Sequence, residues 1–124
     1  MTLQELYAKI GGNYERAVQI MKMDKLIGRY VLKFPKSNFG EILKTAGESL
    51  DPTALFESAH AMKGVCANLG FDGLSEAAGK LTEEFRPGSS RQMTDDEVRS
   101  KIDEIGRMYE HTVSVIREYE QEQT

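Results

Sequence analysis

The chain has 124 residues, with 16 Lys and Arg against 20 Asp and Glu, for a net charge of -4. This length suits a single domain, and the absence of a dense basic cluster disfavours nucleic-acid binding. The single Cys rules out an internal disulfide framework, and no apolar run approaches the roughly 18 residues of a membrane span. Three Pro, no Trp and long stretches rich in Ala, Leu, Glu and Lys favour helix throughout. We therefore expect a cytoplasmic all-α protein.

Three short helices are predicted in the first third of the chain. Thr2, with Glu5 three residues later, has the pattern of a capping box at the start of the first helix. Asn13 can cap a second helix, and Asp24 can cap a third. Pro35 is expected to end or kink that third helix, because a proline lacks the backbone N–H that the helix interior needs.

The middle of the chain predicts two further helices in succession. Apolar residues recur at helical spacing between Asn38 and Leu50, which describes an amphipathic helix. Asp51 then provides an N-cap, and Pro52 occupies the first helical position, where its missing N–H has no cost. This central helix is predicted to run to about Leu69 and to end at Gly70 in the left-handed conformation.

The last third of the chain predicts two more helices. Asp72 can cap a helix that Pro87 ends, and the segment after this proline is typical of a loop. Thr94, with Glu97 three residues later, forms a second capping-box pattern at the start of a long C-terminal helix. The end of that helix, residues 120–124, is expected to fray.

These elements predict an antiparallel four-helix bundle with additional short N-terminal helices. We expect the whole chain, 1–124, to form one domain, with a bundle core over about 24–119 and the central helix over about 52–69. The bundle can bury its own apolar stripes, so we expect a monomer. The encoded Met and the polar C-terminal tail favour a free-standing protein over a fragment.

The central helix presents a histidine away from the core. At about 100° per residue, its apolar positions form one stripe that must face the bundle interior. That stripe consists of Leu55, Ala59, Met62, Cys66 and Leu69. His60 lies on the other side of the helix, with Lys63 one turn later and Gly64 beside it. Gly in a helix interior costs about 1 kcal/mol relative to Ala, so this outward position needs a reason.

Phosphoryl transfer explains these residue types together. Unperturbed imidazole titrates near pH 6.5, so an exposed neutral ring is nucleophilic at about pH 7 without a dedicated base. Lys63 can offset the negative charge of a phosphorylated His60. Phe56, Glu57 and Ala67 share the outward face, where the two apolar side chains give a docking protein some contact area.

Residues 59–64 read Ala-His-Ala-Met-Lys-Gly, and Leu69-Gly70 follow after a short spacer. This pattern resembles the signature of histidine phosphotransfer domains, Ala-His-x-Leu-Lys-Gly with a Leu-Gly several residues later. The likeness continues through the next helix. Met62 replaces the usual Leu, which conserves the side-chain volume.

The resemblance implies a role for each residue of the site. His60 would be the phospho-acceptor, Lys63 would stabilise the phosphoryl group, and Gly64 would give a partner protein access to the ring. Family members also often place a polar residue opposite the His on the following helix, and the register suggests Thr82. Partner binding would therefore involve Phe56, Glu57, Gly64, Ala67 and Thr82.

The resemblance also implies a phosphoryl carrier, not an enzyme with its own ATP site. The partners would be a response-regulator receiver domain, a hybrid sensor histidine kinase, or both, and the Mg²⁺ and the phospho-accepting Asp would belong to the receiver. No metal site and no cofactor are expected. The sequence agrees, because it lacks a GxxxxGK[ST] phosphate loop and a His and carboxylate cluster at metal-ligand spacing.

Two other functions remain open at this point. The chain could be a helical interaction module that is never phosphorylated, or the phospho-accepting domain of a chemotaxis-type histidine kinase. We assign no chemistry to the remaining conspicuous residues. His111 is expected to be structural or solvated, Cys66 is expected to be a small buried hydrophobe, and Glu83-Glu84 are expected to form a solvated face.

Overall fold

The computed structural model describes residues 1–123, which form seven α-helices, one 3₁₀ helix and no strand. The all-α prediction is therefore confirmed for this part of the chain. In chain order the helices are α1 (Leu3–Ile10), α2 (Tyr14–Met21), α3 (Asp24–Lys33), the 3₁₀ helix (Phe34–Ser37), α4 (Phe39–Ser49), α5 (Pro52–Leu69), α6 (Asp72–Phe85) and α7 (Asp95–Glu122).

Most helix ends follow the predicted local signals. Both capping boxes, at Thr2 and at Thr94, are complete. Each Thr hydroxyl accepts from the backbone N–H of the Glu three residues later, and the carboxylate of that Glu accepts from the backbone N–H of the Thr. Asp51 caps α5 by accepting from the Thr53 N–H at 3.3 Å. Gly70 ends α5 with a φ of 73°, in the left-handed region that favours glycine.

The prediction that Asp24 caps α3 is wrong. Asp24 is the first residue of the helix, and the N-cap is Met23, which makes no side-chain capping bond. The Asp24 carboxylate instead accepts a hydrogen bond from the Tyr14 hydroxyl of α2. The carboxylate that the local sequence predicts as a helix cap therefore binds a side chain of another helix instead.

The prediction that Asp72 caps α6 is wrong for the same reason. The N-cap is Phe71, whose side chain is buried, and Asp72 is the first helical residue. The Asp72 carboxylate lies 3.4 Å from Arg16 Nε and accepts from the Asn13 side-chain amide at 3.3 Å. It thus joins the start of α6 to the start of α2.

Four helices enclose the main core. α4 packs against α5 and α7, and α6 packs against the same two helices, so each of the four contacts two of the others. α1 lies against α7, and the Tyr7 hydroxyl of α1 donates to the Leu69 carbonyl at 2.6 Å. This bond ties the N-terminal helices to the end of α5, the helix that carries His60.

Gly70 is required by a tertiary contact as well as by its backbone conformation. A Cβ at this position would lie 2.3 Å from the Asn13 carbonyl oxygen. The Asn13 N–H donates to the Gly70 carbonyl at 2.7 Å. The turn between α1 and α2 therefore rests directly on the backbone at the end of α5.

α7 is the longest helix, at 28 residues. It is helical through Glu122, so residues 120–122 belong to the helix, while the fraying of this end stays a prediction, and Thr124 lies outside the described residues. Among residues 1–123, none of the helices combines the length and apolar character needed to cross a bilayer.

Candidate functional site

α5 buries the predicted stripe and presents His60 to solvent. All five predicted core positions on this helix are buried, and His60 is exposed. Ser58 is buried too, and its hydroxyl donates to the Ala54 carbonyl one turn earlier at 2.8 Å. The helix therefore places the imidazole on the surface, beside side chains that the core holds in place.

The imidazole of His60 stacks on the ring of Phe56. The ring centroids are 5.4 Å apart and the planes differ by 10°, as is expected for residues four apart on one helix face. The guanidinium carbon of Arg86, just after α6, lies 5.4 Å from the Phe56 centroid in a cation–π contact. Phe56 is half-buried, so it gives the histidine ring a defined plane at the surface.

Lys63 lies between α5 and α6, one turn after His60. Its aliphatic carbons pass over Gly79 of α6, where a Cβ would lie 3.6 Å from both Cδ and Cε of the lysine. The Ser75 hydroxyl donates to the Lys63 carbonyl at 3.3 Å. Lys63 is half-buried as a result, with its stem directed toward α6.

Gly64 has no packing partner within the described chain. A Cβ at this position would meet nothing within 4 Å. The contrast with Gly47 of α4 is sharp, since a Cβ there would lie 2.6 Å from Ile102 Cδ1. Internal packing therefore explains Gly47 and does not explain Gly64, which is exposed next to His60.

Two open grooves flank α5. The groove toward α4 contains Glu57 and Ala61, together with Ile42, whose side chain is 51% exposed. The groove toward α6 contains Lys63 and Ala67, together with charged residues of α6. Glu57 is exposed and Ala67 is half-buried, and they lie in the grooves on opposite sides of α5.

The predicted contact from Thr82 is wrong. Thr82 is fully buried, and its hydroxyl donates to the Ala78 carbonyl of its own helix at 2.8 Å. It cannot reach a partner protein, because α6 turns this position into the core. Gly79 and Glu83 of α6 lie instead in the groove with Lys63.

Glu83 and Arg86 are site residues that sequence reasoning missed. Glu83 accepts two hydrogen bonds from Arg86, at 2.8 Å from Nε and 3.0 Å from Nη2. The hydrogen bond from Arg86 lowers the pKa of Glu83, and the charges of Arg86, Lys63 and His60 lower it further. The available signal was the spacing of residues 79, 83 and 86, which places them on one face of a helix.

The neighbouring Glu84 has a different role. Its carboxylate accepts from the backbone N–H groups of Gln92 and Met93, at 2.7 and 2.6 Å. It therefore orders the loop before α7. The prediction of a solvated face holds for Glu83, which is exposed, and is wrong for Glu84, which is half-buried.

Cys66 and His111 match their predictions. Cys66 is fully buried, and burial raises the pKa of its thiol to about 12. His111 is exposed on α7, and its Nε2 lies 3.2 Å from the Lys9 carbonyl at the end of α1. It joins two helices, and Ser114 and Val115 stand at the sequence offsets at which His60 has Lys63 and Gly64.

The fold and the site define an all-helical protein with a surface histidine that is stacked on an aromatic ring, lies next to a lysine and is left uncovered by a glycine. The sequence model of the Hpt domain family matches residues 36–114, which is more than half of the chain. The chain belongs to the Hpt domain family, as the sequence motif predicted. No curated protein and no solved structure gives a significant match.

Proposed function

We propose that this protein is a phosphoryl carrier that relays a phosphoryl group between His60 and an aspartate of response-regulator receiver domains in two-component signalling. One observation carries the proposal. In a chain of the Hpt domain family, His60 is exposed on α5 with Lys63 on one side and open space at Gly64 on the other.

The reaction needs only a positioned nucleophile and neutralised charge. The unprotonated ring nitrogen of His60 attacks the phosphorus of the receiver's aspartyl phosphate. An N–P bond forms, the P–O bond breaks, and its electron pair leaves on the aspartate carboxylate. The proton on the other ring nitrogen stays in place, so the PO₃ unit moves alone and the reverse reaction follows the same path.

Each surrounding residue has a role in this proposal. The Phe56 ring keeps the imidazole in one plane, which reduces the orientational freedom that the reaction must overcome. Lys63 supplies positive charge beside the PO₃ unit. Gly64, Glu57 and Ala67 form the surface on which a receiver docks, with the partly apolar groove at Ile42 beside it.

We extend the proposal to the organisation of the protein. The four helices α4 to α7 would form the antiparallel bundle of the family, within one domain that includes the N-terminal helices and has its core over about 24–119. The protein would act in the cytoplasm as a monomer, without an ATP site or a cofactor of its own. A hybrid sensor histidine kinase or a separate receiver domain would supply the phosphoryl group.

The test is labelling from a phosphorylated receiver domain with Mg²⁺. We expect a phosphate on the native chain that is labile in acid and stable in alkali, as a phosphoramidate bond is. The His60→Ala variant should show no label and an unchanged helical circular dichroism spectrum. His111→Ala is the matched control, because His111 is the other of the two histidines. Label that persists in His60→Ala and disappears in His111→Ala would refute the assignment.

A further inference from the structure

A carboxylate lies beside the proposed phosphoryl-acceptor site. Glu83 of α6 shares the groove with Lys63 and forms two hydrogen bonds with Arg86. Arg86 in turn lies over Phe56, the ring on which His60 stacks. A negative side chain is unexpected here, because the incoming phosphoryl group is itself an anion.

We propose that Glu83 is a positioning residue that weakens the hold of the site on the phosphoryl group, by occupying the nearby cations when His60 is free and repelling the PO₃ unit when it is bound. This inference rests on the proposed function of His60. It assigns to Glu83 a control over how readily the phosphoryl group is accepted and released.

Helix register supports the placement of Glu83. Gly79 and Glu83 are one turn apart on α6 and therefore lie on the same face. The Lys63 stem packs over Gly79, so its ammonium extends into the region that Glu83 also faces. The lowered pKa of Glu83, to which Lys63 and His60 both contribute, agrees with this geometry and keeps the carboxylate ionised at neutral pH.

The charges near His60 are then balanced before the phosphoryl group arrives. Lys63 and Arg86 carry positive charge, and Glu83 offsets part of it. A PO₃ unit on His60 must share these cations with the carboxylate and is repelled by it. The Glu83 and Arg86 side chains are 60% and 41% exposed, so solvent screens the effect. We expect a change of about two- to fivefold when the charge of Glu83 is removed.

The other nearby acid does not explain this arrangement. Glu57 is on α5, three residues before His60, but it lies in the groove toward α4 with Ala61. Lys63 and Arg86 are on the opposite side of the histidine, next to α6. Among the acids of this groove, Glu83 is the one that binds Arg86, and Glu84 is engaged with the loop before α7, so we assign the competition for these cations to Glu83.

The experiment labels the purified chain with phosphoramidate, a small donor that needs no partner protein. The donor's N–P bond breaks and ammonia leaves with the electron pair, while a new N–P bond forms to His60. We expect Glu83→Gln to label about two- to fivefold faster than the native chain at low salt and to retain its label longer. The difference should shrink at high salt, because salt screens exposed charges.

Two variants separate charge from structure. Glu83→Asp keeps the negative charge and should label close to the native rate. Glu120→Gln removes one carboxylate from an exposed position of α7, outside the two grooves that flank α5, and it should also leave the rate unchanged. If Glu83→Gln labels at the rate of Glu120→Gln, the inference is wrong. If Glu83→Asp accelerates labelling as much as Glu83→Gln, the geometry of the Arg86 contact matters and the charge does not, which also overturns it.

Failure of this inference can be told from failure of the proposed function. If the native chain takes no label at His60 under any condition, both the phosphoryl-carrier function and the role of Glu83 are refuted. If the native chain labels at His60 and Glu83→Gln labels at the same rate, the phosphoryl-carrier function stands and only the role of Glu83 is refuted.

Discussion

Substituting Gly64 is the sharpest perturbation that the structure offers, because it separates fold stability from partner docking. The position is in the interior of α5, yet a Cβ there meets nothing within 4 Å. Gly106 of α7 is a matched control, since it is also helical and a Cβ there also meets nothing within 4 Å. Glycine at either position costs helix stability without an internal packing reason.

The expected stability change follows from helix propensity alone. Ala is favoured over Gly in a helix interior by about 0.5–1 kcal/mol. Both Gly64→Ala and Gly106→Ala should therefore raise the free energy of unfolding by about that amount, which corresponds to a few degrees in Tm for a domain of this size. Chemical denaturation followed by circular dichroism measures this change.

The effect on phosphoryl transfer should differ between the two positions. A Leu side chain at 64 would project from α5 beside His60 and hold a docked receiver away from the ring. A misplacement of about 1 Å can cost about 10²-fold in rate. We therefore expect Gly64→Leu to slow transfer from a phosphorylated receiver by about this factor, and Gly106→Leu to have little effect.

The assay compares a protein donor with a small donor. Labelling of Gly64→Leu by phosphoramidate should stay within a few-fold of the native rate, because the small donor needs only the exposed ring of His60. Unchanged transfer from the receiver would refute the docking argument. Equal losses with both donors would mean that residue 64 acts on His60 itself.

Three further predictions concern the fold. Lys22→Gly should raise the free energy of unfolding by about 1 kcal/mol in chemical denaturation, because Lys22 is exposed at the end of α2 with a φ of 73°, and Lys22→Ala should not. The Cys66 thiol, whose pKa burial raises to about 12, should react with thiol reagents at pH 8 much more slowly in native than in urea-unfolded protein, and equal rates would contradict its burial. Backbone and side-chain hydrogen bonds with Thr94 lower the pKa of Glu97 below its ordinary value of 4.5. Because the folded-state pKa is below the unfolded-state pKa, ionised Glu97 stabilises the fold at pH values above 4.5, and this stabilisation is lost as the pH falls through the folded-state pKa. Glu97→Gln should therefore be less stable than the native chain at pH 7, and the difference in the free energy of unfolding should shrink at pH 3 in urea unfolding.

Much of the fold could be predicted from local signals. The capping boxes at Thr2 and Thr94, the Asp51 cap and the left-handed Gly70 each depend on residues a few positions apart. The outward direction of His60 follows from the period of the helix and from the apolar stripe opposite it. Such features need no knowledge of where the next helix lies.

The errors occur where a second helix decides the outcome. Asp is a residue type that often caps helices, but Asp24 accepts from the Tyr14 hydroxyl and Asp72 pairs with the Arg16 guanidinium. Sequence alone cannot weigh a cap against a tertiary partner, because the partner is distant along the chain and close only after folding.

The same distinction separates the two halves of the candidate site. The sequence by itself determined the α5 half, since His60, Lys63 and Gly64 lie within about one turn and share a face by helical geometry. Only the tertiary structure decided the α6 half. A helix rotates by about 100° per residue, so a small difference in how α6 packs moves Thr82 into the core and turns Glu83 toward the groove. That rotation is set by the fit of buried side chains between α5, α6 and α7, which no local pattern contains.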